Sequence, residues 1–228
     1  MISVLPSEQP FDGEATGGCG GGFRDAPQRR PPGVGVAGCA ALTVDGVIVE
    51  VQIVALLASP VHAYEGRPAD GPRGDPTADA RELIEIRAGH GIVGDRYAGH
   101  AAHRNAAVTV FAAEALEAVA MELRWSSVPD ALLTRRNIVL RGFAVDTLAA
   151  VRGGTGAVFS LDSGDGPVRF RAHRPATPCR WMDVVLAPGA FTALRGRSGV
   201  RCAALDDGLL RRGPAVLRVL EPPAPAPP

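Results

Sequence analysis

Between residues 47 and 57 the chain alternates, with Val49, Val51 and Ile53 on one side and Glu50 and Gln52 on the other. A period of two carried by β-branched residues predicts a strand buried on one face. The same alternation, or a short apolar run bounded by turn formers, predicts strands over 82–87, 108–111, 158–161, 168–172, 199–205 and 215–220, and a short one within 135–142. The spacing changes once to the helical period: Leu116, Val119, Ala120 and Leu123 predict an amphipathic helix over 112–123. Shorter helical turns are predicted at 188–194 and at 146–150, the latter with Asp146 as N-cap. Asp162-Ser-Gly-Asp-Gly-Pro167 reads as the loop of a hairpin, and Asp45-Gly46, Asp206-Asp-Gly208 and Gly213-Pro214 as turns.

Many short strands, frequent turns and few helices predict a mainly β domain, a barrel or a twisted sheet closed on itself, with a few short peripheral helices. That domain spans 41–221. Residues 1–40 read as a disordered extension, because Gly17-Gly-Cys-Gly-Gly-Gly22 and Gln28-Arg-Arg-Pro-Pro-Gly33 cannot build a packed core. Residues 222–228 form a proline-rich tail. The stretch from Ser59 to about Thr77 is a long loop, and loops of that length inside a compact domain often carry function.

Composition narrows the chemistry. The 24 basic residues balance 24 acidic ones, which argues against a general nucleic-acid binder. Every basic residue is arginine. With no lysine, the chain can neither form a Schiff base with pyridoxal phosphate nor supply the lysine of a phosphate loop. Cys19, Cys39, Cys179 and Cys202 have none of the close spacings of a zinc or disulfide framework, which fits a reducing cytoplasm. No run of eighteen apolar residues predicts a membrane span, and the start lacks the pattern of a signal peptide.

The candidate chemistry centres on Val168–Asp183. A strand with Val168, Phe170 and Ala172 on one face and Arg169, Arg171 and His173 on the other breaks at Pro175 and Pro178, just before Cys179. Arg174 and Arg180 flank that thiol, and fixed positive charge favours the thiolate, the form that attacks electrophiles, carries sulfane sulfur or binds a soft metal. His173 is the histidine placed to serve Cys179 as proton donor or base.

Several stretches, in order, resemble the MOSC domains, named for the C-terminal part of molybdenum cofactor sulfurase. They are Gly91-Ile-Val-Gly-Asp-Arg96, His103-Arg104 before a Val-Thr-Val strand, Arg135-Arg-Asn-Ile-Val-Leu-Arg-Gly142, Arg174-Pro-Ala-Thr-Pro-Cys179 and the end from Gly199 to Pro214. The resemblance covers residues 47–220. It implies a β-rich barrel with one reactive cysteine, matched here by Cys179, which carries a persulfide or ligates the molybdenum of the molybdenum cofactor (molybdopterin). A site for that group calls for a soft thiolate and for guanidinium forks around the phosphate. Cys179 supplies the first and Arg135, Arg136, Arg169, Arg171 and Arg174 the second, with Asn137, Asp95 and Arg96 near the pterin edges. Relatives fused to a pyridoxal-phosphate-dependent cysteine desulfurase imply that such an enzyme, or an electron-transfer protein, is a separate partner here. The activities implied are sulfur transfer or reduction of N-hydroxylated compounds. The alternative is a non-catalytic barrel that binds another small anion through its arginines.

Overall fold

A computed structural model describes residues 46–226. The glycine-rich extension, Cys19, Cys39, Asp45 and the last two prolines lie outside the described residues. Ten strands form: β1 (Ile48–Leu56), β2 (Leu83–Arg87), β3 (Gly91–Ile92), β4 (Val108–Ala112), β5 (Ile138–Arg141), β6 (Val158–Asp162), β7 (Val168–Pro175), β8 (Val200–Ala204), β9 (Gly208–Arg211) and β10 (Gly213–Glu221). Three short α-helices join them, α1 (Ala113–Glu122), α2 (Trp181–Val185) and α3 (Ala190–Ala193). Among the described residues no helix is long and apolar enough to cross a membrane.

Seven strands close into a barrel in the order β1-β10-β6-β7-β8-β4-β5, and β5 returns to β1. Every pairing is antiparallel except β4 with β5. Closure leaves no free barrel edge to pair with another chain. The barrel is filled by the inward positions that the alternation marks: Val51 and Ile53 from β1, Phe159 and Leu161 from β6, Phe170 and Ala172 from β7. β4 and β5 break the one-sided rule. Val110, Ile138 and Leu140 fill the barrel, while Phe111 and Val139 point outward beneath Leu116 and Val119 of α1 and Trp181 and Met182 of α2. A strand covered on both faces reads as a continuous apolar run, as β4 does.

Three sequence expectations change. Leu123 is the C-cap of α1 and not part of it. Asp146 is not an N-cap: Ala144 holds that position, and Asp146 sits inside the 3-10 turn Val145–Leu148. Its carboxylate instead accepts from the Gly199 amide at 2.8 Å, a longer-range use that competes with capping. The region between β8 and β10, expected to be turns alone, contains β9, which pairs with β2 and so builds a second sheet, β3-β2-β9, beside the barrel.

Candidate functional site

Cys179 is placed by the way β7 ends. The pairing of β7 with β8 shifts register between Ala172 and Pro175, where the chain leaves the barrel. The Ala176 amide donates to the Gly199 carbonyl at 2.7 Å, and the Cys179 carbonyl accepts from Met182 N at 3.0 Å as α2 begins. The turn is therefore held at both ends by backbone bonds, with the Cys179 thiol exposed between them.

The arginines arrive from three other segments. The 3-10 turn Ala131–Thr134, capped by the Asp130 carboxylate, ends on Arg135 in the left-handed conformation (φ 56°, ψ 32°). For a non-glycine residue that conformation costs about 1 kcal/mol or more, and such strain clusters at functional sites. It aims the guanidinium beneath the 57–81 loop, where Nη1 donates to Pro76 O at 2.6 Å and Nη2 to Val61 O at 3.1 Å. Asp79 lies 3.8 Å away. Arg136 follows, donating from Nε to Ser198 O at 3.0 Å and from Nη2 to Ser198 Oγ at 2.8 Å. Arg96 comes from the glycine loop after β3. Gly91, which opens β3, is required: at φ +102°, an added Cβ would stand 2.7 Å from the Ala107 methyl. The Arg96 guanidinium lies 4.4 Å from the centroid of the Tyr97 ring. Arg201 projects from β8.

Two adjoining cavities result. The outer one, of about 270 Å³, is lined by Cys179, His62, Tyr64, Trp181 and the four arginines Arg96, Arg135, Arg136 and Arg201. The inner one, of about 60 Å³, shares those four arginines and Tyr97, and adds Asp95, Thr109 and Asn137. A larger hollow of about 750 Å³ lies along β1, β10 and the β6–β7 hairpin. It is an open groove with no thiol or histidine, and its one cation, Arg141, is already paired with Glu117. Size alone points to the groove, but the chemistry lies in the crevice.

The crevice is strongly electropositive. Among the described residues Arg96, Arg136 and Arg201 have no carboxylate within salt-bridge distance, and Nε of both Arg96 and Arg135 is buried without a hydrogen-bond partner. Burial, and then the neighbouring Arg201, push the Arg136 guanidinium down to about 10, which leaves it charged at neutral pH. Burial also lowers Arg135 and Arg201, followed by repulsion from Arg96 and Arg174 respectively. Buried, mutually repelling cations with free donors form a site suited to an anion. Burial and Arg96 lower His62 as well, so its imidazole is neutral at pH 7. Burial raises Tyr64, whose hydroxyl donates to Leu133 O and whose ring stacks on Trp181 at 5.3 Å.

Of the residues singled out in the sequence, Cys179, Arg135, Arg136 and Arg96 share the outer cavity, and Asn137 and Asp95 line the inner one. Asn137 is saturated: its Oδ1 accepts from Thr109 N and Oγ1, and its Nδ2 donates to Leu57 O and Asp95 Oδ2. It shapes the chamber and has no hydrogen bond left for a ligand edge. The structure places Arg169, Arg171 and His173 elsewhere, on the outward face of β7. There Arg169 makes a two-pronged pair with Asp206 at 2.8 Å and Arg171 reaches Glu221 at 3.0 Å. His173 lines neither cavity, and burial and Arg171 lower it. Arg174 is exposed and bears on the site only through its repulsion of Arg201. The physical reason is alternation: neighbours of Cys179 in sequence ride the strand's outer surface, whereas Cys179 lies beyond the barrel's end.

His62, Tyr64, Tyr97, Trp181 and Arg201 belong to the site without having been singled out. His62 and Tyr64 sit in the long loop after β1, so loop length was their signal. Arg201 carried a weaker one, a cation between apolar neighbours in Val200-Arg-Cys202.

No protein-family model matches the chain, and no curated protein matches it. Its fold is similar to that of the YuaD protein from Bacillus subtilis, with a TM-score of 0.58 and 12% identity over 77% of this chain and 98% of that one. It is also similar to YiiM from Geobacillus stearothermophilus, with a TM-score of 0.50 and 16% identity over 75% of each chain. These likenesses fit a MOSC-type fold. At such identities they concern the fold alone. Within it, three of the motif stretches meet at one place: Asp95 and Arg96, Arg135 to Asn137, and Cys179 all line the crevice.

Proposed function

We propose that this protein handles the molybdenum cofactor, holding the phosphate end of its pterin on the crevice arginines and meeting its metal or sulfur with Cys179. The observation that carries this reading is the presence of an exposed thiol and four arginines around one cavity, with two buried Nε donors unpartnered. The donor set fits the group: guanidinium forks for a phosphate, one soft sulfur for a soft metal, and an aromatic wall of Tyr64 and Trp181 for a planar ring.

A molybdenum centre, when bound, supplies two-electron chemistry such as the reduction of an N–O bond. The chain's own residues bind and orient. Arg135, pinned by two loop carbonyls, fixes the anion's position, and Arg136 bridges Ser198 and the Thr177 carbonyl, at 3.5 Å, in the turn before Cys179. His62, neutral beside Arg96, accepts or delivers a proton at its ring nitrogen. The exposure of Cys179 supports a second use, acceptance of sulfane sulfur from the persulfide of a separate cysteine desulfurase by thiolate exchange. A reductase role would need electrons from a flavin or iron–sulfur group, which a separate electron-transfer protein would supply. A cytoplasmic setting, where thiols stay reduced, belongs to the same reading.

The test is metal and pterin content of the full chain purified from a molybdenum-replete host. Molybdenum and released pterin accompany the wild-type protein, and Cys179→Ala loses most of the metal. Absence of molybdenum, pterin and persulfide alike, with no change in Cys179→Ala, would leave a barrel that binds some other small anion.

A further inference from the structure

The inner chamber has a property that the outer one lacks. At about 60 Å³ it holds a few water molecules' worth of space, too little for a ring and enough for one small tetrahedral oxyanion group. Four cations line it. Its single carboxylate, Asp95, already accepts from Ser59 N at 3.3 Å, Asn137 Nδ2 at 3.0 Å and Tyr97 N at 3.1 Å. Arg135, with only 5% of its side chain exposed, keeps a buried Nε without a partner, and so does Arg96. The chamber adjoins the thiol's cavity: Arg96, Tyr97, Arg135, Arg136 and Arg201 line both. An anion seated on these arginines is therefore held by residues that also line the cavity of Cys179.

We propose that Cys179 takes sulfane sulfur directly from a small oxyanion-bearing donor of the thiosulfonate class, of which thiosulfate is the smallest member. This names the sulfur donor for the site and rests on the reading of Cys179 as a sulfur-accepting thiol. The –SO₃ end sits on the arginines and the outer sulfur faces Cys179. The Cys179 thiolate attacks that outer sulfur, a new S–S bond forms, and the bond to the sulfonyl sulfur breaks. The electron pair leaves with sulfite, and Cys179 is left as a persulfide. Thiolate and thiosulfate go in, persulfide and sulfite come out, with no external oxidant or reductant and the total charge unchanged. In water a thiolate and a dianion repel each other. The guanidinium cluster offsets that repulsion, so dependence on arginine is the signature of the step.

The experiment incubates the reduced full chain with thiosulfate and follows released sulfite together with the mass of the Cys179 peptide. An uncharged organic trisulfide serves as a second donor that does not need the arginines. The expected result is one sulfur gained on Cys179 for each sulfite released, and none in Cys179→Ser. The Arg201 side chain makes no hydrogen bond or ion pair among the described residues, and its backbone pairing with Thr109 is kept in any substitution, so Arg201→Gln removes charge with little effect on folding. It lowers the thiosulfate rate about ten-fold or more relative to the trisulfide rate, the change that corresponds to one lost charge-assisted hydrogen bond. A thiosulfate rate no higher than that of the urea-unfolded chain overturns the proposal, and so does equal slowing of both donors in Arg201→Gln. If thiosulfate fails while a desulfurase loads Cys179 or molybdenum co-purifies, only the donor assignment falls. If Cys179 takes sulfur from no donor and the protein holds no molybdenum, the proposed function falls with it.

Discussion

Asn137→Ala is expected to lower the free energy of unfolding by about 4 kcal/mol, measured by urea titration. Asn137 is 5% exposed, and its side chain joins three segments, at Leu57, Asp95 and Thr109. Its Oδ1 accepts from Thr109 N and Thr109 Oγ1 at 2.9 and 2.8 Å, its Nδ2 donates to Leu57 O at 3.1 Å and to Asp95 Oδ2 at 3.0 Å. Alanine leaves the Thr109 amide, the Leu57 carbonyl and a buried carboxylate without that partner. Each such group costs about 1–3 kcal/mol when stranded, and water entering the vacated space recovers part of the sum. Asp95 also anchors Ser59 and Tyr97, so the same substitution loosens the floor of the inner chamber. A loss under about 1 kcal/mol would show that Asn137 is not the linchpin these bonds make it.

Gly199→Ala is expected to do comparable damage for a steric reason. At φ +84° an added Cβ would lie 2.1 Å from the Val110 carbonyl oxygen, inside the β4–β8 ladder. Backbone cannot step aside there without opening the barrel. The same residue donates its amide to Asp146 and accepts from Ala176, so any shift passes straight to the Cys179 turn. The expected cost is about 3 kcal/mol or more, combining left-handed strain with the clash. Gly196→Ala is the control. Its φ is +78° but a Cβ would meet nothing within 4 Å, so it should lose only the conformational cost of about 1 kcal/mol. Equal losses at the two glycines would contradict the packing argument.

The barrel was legible in the sequence where strands are covered on one face. β1 and β7 alternate cleanly, and α1 carries its stripe. β9 was not legible, because four residues between turn formers carry no period, and the partner that makes them a strand, β2, lies more than a hundred residues earlier. The parallel β4–β5 contact that closes the barrel is likewise a long-range fact with no local mark.

The site followed the same division. Cys179 and the Arg135–Arg136 pair were recognisable from their own surroundings, since prolines, charges and a short strand are local features. Arg169 and Arg171 looked equally promising by proximity, and the strand carries them to the outer surface, where each finds an acid. His62 and Arg201 look ordinary in sequence and meet at the crevice only through the barrel's closure. Local chemistry thus singled out the exposed thiol, and topology chose which cations surround it.

In the proposed function Cys179 lies within the field of this arginine cluster, and thiol and cluster act as one anion-accepting site. The most direct measurement is the rate of Cys179 alkylation by anionic iodoacetate relative to neutral iodoacetamide, in the folded chain and in the same chain unfolded in urea. The expected ratio is raised by folding, reduced by salt, and returned toward the unfolded value in Arg136→Gln and Arg201→Gln. A ratio that is the same in the folded and unfolded chain would contradict it.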